Sequence, residues 1–241
     1  MANLYTIDLV AASTQYLSRA DTAVLDPGTN FTIEGWFKMN AEVLGGETPT
    51  LVSKFLSAGD QRSWVLNLAR DGAQHKIEFI SYTNGVTAVD VLVNITSLGT
   101  TWNHIAAVYT KATPQVEIYV NGVSVGTGTA AASIFDGTAA FVIGALNNPA
   151  LPMDGKADDV RFWNDIRTTA EIADNMSNCN FVDPADGSLI GWWTLENVLT
   201  DSGPNGLTLT NNNSATFQSA TLPYACAVAT PKPTLLLMGV G

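Results

Sequence analysis

The sequence has 241 residues, of which 46% are hydrophobic and 14% are charged. This composition supplies enough apolar material for one large β-sandwich or two small domains, and it is unlike that of a disordered chain. With 11 basic and 22 acidic residues the net charge is −11, which argues against nucleic-acid binding, because phosphates are neutralised by clustered Lys and Arg. No run of ~18 apolar residues occurs, so the sequence predicts no membrane-spanning helix.

The N-terminal residues have the pattern of an opening strand. Leu4, Ile7 and Leu9 are separated by polar positions, as on a sheet with one buried face. The basic and apolar regions of a signal peptide are missing, so we expect no signal peptide in this sequence.

Short segments rich in β-branched and aromatic residues follow, separated by Asn-Gly, Asp-Gly and Gly-Gly turn signals. Such a pattern is typical of an antiparallel two-sheet sandwich. The predicted strands include residues 31–38, 64–68, 76–82 and 141–144.

The clearest local signal is a hairpin over residues 116–125. Val116, Ile118 and Val120 alternate with polar or aromatic residues, and the alternation resumes at Val123. Between them, Asn121-Gly122 supplies the two left-handed positions of a type I′ turn.

One helix is predicted, over residues 168–176. Thr168 and Glu171 have the spacing of a capping box, while Ile172 and Met176 form one apolar stripe. A single short helix among many strands fits an all-β fold.

Several of these segments, in order, resemble the laminin-G-like, concanavalin A-like jelly rolls. The motifs are Asn30 to Lys38 (NFTIEGWFK), Trp102 to Tyr109 (WNHIAAVY), Ile118 to Gly126 (IYVNGVSVG), Asp154 to Asn164 (DGKADDVRFWN) and the late block of Ile190 to Glu196 with Asp201 to Leu207. The resemblance implies an all-β, antiparallel two-sheet jelly-roll sandwich over residues 1–228, with an extended apolar tail over residues 229–241.

The sequence shows no pair of carboxylates with the spacing that glycoside hydrolysis needs. Glu34 and Glu78 stand alone in their strands, and the adjacent Asp158 and Asp159 should point to opposite faces of a strand. Retaining glycoside hydrolysis needs two carboxyl groups ~5 Å apart. The sequence therefore favours a non-catalytic protein, with a glycoside hydrolase of the same fold as the less favoured alternative.

The resemblance also implies one metal. In many jelly rolls of this type the Asp of the "D-x-V-R" strand holds a structural calcium, which makes Asp158 a candidate ligand, assisted by backbone carbonyls, water and Asp8 or Asp159. The alternative is that Asp158 pairs with Arg161 or Lys156. Two cysteines, Cys179 and Cys226, either form a disulfide or remain as two thiols.

Carbohydrate recognition would use exposed aromatic faces beside Asn, Asp or Gln side chains. The loop candidates are Tyr82, Asn84, Asn147 and Asn148, with Asn211 to Asn213 as a further loop, whereas Trp36, Trp102, Trp163 and Trp192 are expected in the core. These candidates do not locate a sugar site; the resemblance implies a recognition module that binds a glycan or another surface protein.

A jelly roll of this kind without a signal peptide suggests a virion-surface protein, such as a capsid decoration or tail protein. The alternative is a secreted prokaryotic lectin or adhesion module, and either setting is extracellular or on a virion surface. The apolar run at Leu235 to Met238 in the tail should pack against a sheet edge, of the same subunit or of a neighbour in a homo-oligomer.

Overall fold

The computed structural model describes residues 4–26, 28–177 and 182–219. Within these ranges the chain forms fifteen strands, one α-helix (α1, Thr169–Ser177) and 3-10 turns at Ala11–Ser13, Ala23–Leu25 and Ala58–Asp60. The strands are β1 (Tyr5–Leu9), β2 (Tyr16–Arg19), β3 (Phe31–Met39), β4 (Thr50–Leu56), β5 (Gln61–Asp71), β6 (Gln74–Tyr82), β7 (Ala88–Ile95), β8 (Asn103–Thr110), β9 (Gln115–Val120), β10 (Val123–Thr129), β11 (Phe141–Ile143), β12 (Gly155–Trp163), β13 (Leu189–Trp193), β14 (Thr210–Asn212) and β15 (Thr216–Ser219).

The strands form two antiparallel sheets, as the sequence predicts. One sheet has eight strands in the order β10-β9-β8-β3-β12-β1-β15, with β13 paired to β12. The other has seven strands in the order β14-β2-β11-β4-β5-β6-β7. Several neighbouring strands, such as β3 with β12 and β1 with β15, come from distant parts of the chain, and such crossovers are the connectivity of a jelly roll.

The core lies between the two sheets and is rich in aromatic rings. Phe31 from β3 packs edge-on against Phe162 from β12, with ring centroids 5.6 Å apart. Phe141 from the opposite sheet stacks on Trp193, with centroids 4.9 Å apart. These side chains are fully buried, so each removes ~150–250 Å² of apolar surface from water.

The predicted hairpin is β9–β10, and its turn has the expected geometry. Asn121 and Gly122 have φ angles of 51° and 76°, both in the left-handed region that a type I′ turn requires. Asn121 is also fixed by the backbone amide of His104, which donates to its side-chain oxygen at 2.9 Å.

Two glycines in β10 allow the edges of the two sheets to come together. A Cβ on Gly128 would lie 2.6 Å from Val91 Cγ1, and one on Gly126 would lie 2.8 Å from Val93 Cγ1. Both valines belong to β7, the edge strand of the other sheet. The absence of side chains at Gly126 and Gly128 therefore allows β10 and β7 to pack closely.

Helix α1 begins one residue later than predicted and has the predicted capping box. The Thr168 backbone amide donates to Glu171 Oε2 at 2.8 Å, and the Glu171 amide donates to Thr168 Oγ1 at 3.3 Å. The helix buries Ile172 against Ala106, Val108 and Tyr119, on the outer face of the eight-stranded sheet.

The described part of the chain contains no helix of the length and apolarity needed to cross a membrane.

Candidate functional site

An aromatic pair and an arginine share the outer face of the seven-stranded sheet. The rings of Phe55 and Tyr82 have centroids 5.7 Å apart and an interplanar angle of 58°. The guanidinium carbon of Arg62 lies 5.8 Å from the Phe55 centroid. All three side chains are half-buried, so part of each surface remains in contact with water. We refer to Phe55, Arg62 and Tyr82 as the aromatic platform.

Strand register explains why these three side chains meet. Lys54 pairs with Trp64, and Trp64 faces the core. A register shift follows immediately, after which Phe55 pairs with Arg62. Because alternate residues face opposite sides of a strand, Phe55 and Arg62 point outward, where Tyr82 at the end of β6 joins them.

Two loops with amide side chains flank the aromatic platform. The Asn147 backbone amide donates to the Phe55 carbonyl at 3.2 Å, and Asn148 beside it is exposed. In the β6–β7 turn, Asn84 Oδ1 accepts from the amides of Val86 and Thr87 at 3.0 and 2.7 Å. The side-chain oxygen of Asn84 therefore stabilises the turn, and the side-chain NH₂ group is left to donate to a ligand.

The platform thus brings together the loop residues selected from the sequence, and it adds two that sequence reasoning missed. Tyr82 lies in the platform, Asn147 is tied to Phe55, and Arg62 Nη1 donates to the Gly85 carbonyl beside Asn84 at 2.8 Å. Phe55 and Arg62 gave no signal in the sequence, because a bulge sets their orientation. The Asn211 to Asn213 segment, predicted as a loop, instead has Asn211 and Asn212 in β14, with Asn211 Nδ2 donating to the Ala215 carbonyl at 2.7 Å.

The electrostatic surroundings of the platform are acidic on balance. The Arg62 guanidinium is paired with Asp60 at 2.8 Å, so its charge is locally compensated. Burial raises the pKa of the Tyr82 hydroxyl; Arg62 opposes this effect, while Asp90 and Glu78 add to it.

A second polar group, which we call the buried cluster, lies on the outer face of the eight-stranded sheet, beside α1. Its centre is Glu34, whose Oε1 accepts from Trp163 Nε1 at 3.0 Å and from Asn175 Nδ2 of α1 at 3.4 Å. Arg161 Nη1 lies 3.5 Å from the same oxygen and its Nη2 donates to Asp159.

Asp159 shows that one sequence prediction was wrong. Asp158 and Asp159 were expected on opposite faces, but Asp159 has a φ of 49° and sits in a bulge of β12. Its Oδ1 accepts from Trp192 Nε1 at 2.6 Å on the outer face. Asp158 pairs in register with Trp36, which belongs to the same outer aromatic group. The bulge therefore turns both carboxylates towards the outer face.

Burial governs the ionisation of this cluster. Glu34, His104 and Arg161 are 0% exposed. Burial raises the pKa of the Glu34 carboxyl, an effect that Arg161 and Trp163 oppose. Burial, with a smaller contribution from Arg161, lowers the pKa of His104 to about 3. His104 is therefore a neutral packing residue at pH 7.

The four tryptophans assigned to the core are buried or partly buried. Trp36, Trp163 and Trp192 belong to a cluster on the outer face of the eight-stranded sheet, against which Trp102 packs. The Trp163 ring also carries the Arg167 guanidinium, whose carbon lies 3.5 Å from its centroid.

The proposed calcium ligands, Asp158 and Asp8, lie on neighbouring strands. Asp158 is fully buried in β12, and Asp8 in β1 pairs in register with Lys156. Lys156 Nζ lies 3.1 Å from Asp8 Oδ1 and supplies the positive charge there. No group of three or more His, Cys, Asp or Glu suited to a metal is found among the described residues. Coordination by Asp8 would require Lys156 to move, and calcium stays a prediction.

Other sequence predictions fall outside the described residues. Cys179 and Cys226 both lie there, and so does the tail of residues 229–241. The disulfide and the packing of the tail therefore stay predictions.

Two antiparallel sheets connected in this way define the class of concanavalin A-like jelly-roll sandwiches. The profile of the concanavalin A-like lectin/glucanases superfamily matches residues 11–173. The chain therefore belongs to this superfamily.

Solved structures with the same fold are distant in sequence. A Bacteroides ovatus protein, described as a candidate carbohydrate-binding protein, is 19% identical with a TM-score of 0.68; the match covers 94% of this chain and 62% of that one. A heptameric SAP-like pentraxin from Limulus polyphemus is 14% identical, with a TM-score of 0.65, and the match covers 94% and 98%. The CBM40 of the Ruminococcus gnavus IT-sialidase is 16% identical, with a TM-score of 0.54, and the match covers 72% and 98%. No curated protein matches the sequence.

Proposed function

We propose that this protein is a non-catalytic carbohydrate-binding module whose ligand rests on the aromatic platform. The observation that carries the proposal is the pairing of Phe55 and Tyr82 on one outer sheet face, beside the Asn147–Asn148 loop, whose backbone is bonded to that of Phe55. The apolar C–H faces of a sugar ring pack on aromatic rings, and its hydroxyl groups exchange hydrogen bonds with amide side chains.

The neighbouring structures support this choice of ligand class. The Bacteroides ovatus protein is described as carbohydrate-binding, and the Ruminococcus gnavus module has been solved with α2,3-sialyllactose. At these sequence identities the similarity shows a shared fold only. We therefore assign the binding site from the residues of the aromatic platform.

The burial of Glu34 and Asp159 supports a non-catalytic role. Glu34 and Asp159 are 0% and 2% exposed, and they are held by Trp163, Trp192 and Arg161. A glycosidic bond cannot reach a carboxyl group that is enclosed in this way, whereas hydrolysis needs one carboxyl group on each side of the bond.

The setting of the module is a further part of the proposal. A capsid or tail surface of a virion is the first choice and a secreted prokaryotic lectin or adhesion module is the alternative. Calcium bound by Asp158 and Asp8 would be structural in either setting, holding β1 against β12, and is part of the proposal.

A glycan array with single-site variants tests the platform. We expect Phe55→Ala and Tyr82→Ala each to weaken binding at least ~10-fold without a large loss of stability, because stacking surface is removed from half-exposed side chains. Tyr5→Ala is the matched control, since Tyr5 is a 37% exposed aromatic residue on the other sheet. Full binding by both platform variants, or an array without any bound glycan, would contradict the proposal.

The non-catalytic part has its own test. The glycans bound on the array, together with a β-glucan panel, are incubated with the protein and assayed for new reducing ends. We expect none; release of sugar that is lost on a single Glu or Asp substitution, in a variant that stays folded, would show that the chain is a hydrolase.

A further inference from the structure

A cleft of about 330 Å³ opens where β3 ends, β12 begins and the chain leaves β1. This volume is at the lower end of the ~300–1,000 Å³ typical of small-molecule sites. No residue of the aromatic platform lines it. Its walls are mainly apolar and include Met39, Val43, Leu44, Pro49, Leu151 and Pro152.

Two leucines of the cleft are held at the surface. Leu44 is 58% exposed and Leu151 is 43% exposed. Leu151 also has a φ of 50°, a left-handed conformation that costs a non-glycine residue ~1 kcal/mol or more. Its carbonyl accepts the Thr50 amide at 2.9 Å, which fixes this conformation. The fold thus retains a strained residue that presents an apolar side chain to solvent.

The loop that forms one wall is anchored, so the cleft exists before a ligand binds. Val43 is buried in the main core. Arg70 Nη1 donates to the Val43 carbonyl at 3.2 Å, and the Gly46 amide donates to the Arg70 carbonyl at 3.1 Å. Binding would therefore cost little ordering of the loop.

The polar lining of the cleft is acidic. Glu42, Glu47 and Asp154 line it, and no lysine or arginine is among its described lining residues. Glu47 Oε2 accepts the Leu44 amide at 2.7 Å, and Asp154 Oδ1 accepts the Ala11 amide at 3.4 Å. Both donors are neutral, and within the described residues neither carboxylate forms an ion pair with a cationic side chain.

We propose that this cleft binds a small organic cation with an apolar body, such as an alkylammonium group. The apolar part packs on Leu44 and Leu151, and the ammonium faces Asp154 and Glu47. Charge complementarity selects the cation, because carboxylates beside apolar walls disfavour a second negative charge.

Three probes with the same six-carbon body test the charge requirement. Hexylamine is a cation at pH 7, 1-hexanol is neutral and hexanoate is an anion. In saturation-transfer NMR titrations of the full chain, we expect hexylamine to bind at least fivefold more tightly than 1-hexanol and hexanoate not to bind. Equal binding of the three probes, or no binding of hexylamine, would overturn the proposal.

Variants of the lining localise the binding. Glu47→Gln and Asp154→Asn preserve side-chain size and remove charge, and we expect each to weaken hexylamine binding three- to tenfold. Leu44→Ser, on the exposed loop, should weaken hexylamine and 1-hexanol alike. Asp71→Asn is the control, since Asp71 is an exposed carboxylate paired with Lys76 outside the cleft. If the lining variants bind hexylamine as the control does, the cleft is not the site.

Discussion

At the scale of single residues, the buried cluster shows how burial overrides intrinsic acidity. The Nε2 atom of His104 lies 3.6 Å from Glu34 Oε2, and its ring packs edge-on against Trp36 with centroids 5.5 Å apart. Arg161 also acts on His104 electrostatically. A nearby carboxylate usually favours the imidazolium form. Here complete burial is the larger effect, so the folded protein holds His104 neutral and the unfolded chain alone takes up its proton in mild acid.

This difference predicts a pH dependence of stability that can be assigned to one residue. The pKa of His104 is about 3 in the folded protein and 6.5 for an ordinary solvated histidine, so between these pH values the unfolded state binds the extra proton. The free energy of unfolding should therefore fall as pH is lowered from 6.5 towards 3. At pH 4 the loss from His104 is at most about 3 kcal/mol.

Urea denaturation of His104→Phe at pH 7 and pH 4 checks this, and we expect a smaller loss on acidification than in the wild type. Equal acid dependence in the two proteins would refute the assignment.

At the scale of elements, the approach of β10 to β7 depends on the missing side chains of Gly126 and Gly128. We expect Gly128→Ala to lower the free energy of unfolding by ~1–3 kcal/mol, because its Cβ would lie 2.6 Å from Val91 Cγ1. Gly187→Ala is the control, since nothing lies within 4 Å of its Cβ position. In a double-mutant cycle, Val91→Ala should relieve part of the Gly128→Ala cost; purely additive losses would show that this contact is not the cause.

The strands and the helix were predictable because their signals are local. Alternation in β9, the Asn121-Gly122 pair and the Thr168–Glu171 box each act over a few residues, and each confirmed prediction rests on one of them. The same local reasoning failed at Asp159, because a bulge adds one residue to a strand and reverses the expected face.

The candidate site was only partly predictable for the same reason. Tyr82 and Asn147 are in turns whose composition is visible in the sequence. Phe55 and Arg62 are not distinguished by composition; they become neighbours of Tyr82 only through the pairing of β4 with β5 and β5 with β6. Pairing between strands is a property of the whole sheet.

At the scale of the whole molecule, charge constrains the glycans that the proposed module accepts. The net charge is −11, and Asp60, Glu78 and Asp90 surround a platform whose single arginine is already paired. These negative charges would repel an acidic sugar, and salt would screen the repulsion.

We therefore expect neutral oligosaccharides to bind more tightly than their sialylated forms, in contrast to the Ruminococcus gnavus module solved with sialyllactose. The measurement compares lactose with 3′-sialyllactose, or another neutral and sialylated pair from the array, at about 50 mM and 500 mM salt. Added salt should reduce the difference within the pair. Tighter binding of the sialylated member at low salt would show that the acidic surroundings do not govern selection.

The pairing of β1 with β15 determines how the sandwich would respond to mechanical force. The two strands are antiparallel, with Tyr5 opposite Ser219, so the first and last described strands have their outer ends at the same place. Tension applied through these ends would break the hydrogen bonds between β1 and β15 one pair at a time. It would not load all the pairs together in shear. A module tethered at both ends would therefore unravel from β15 under modest tension, while one tethered at a single end would leave this seam unloaded.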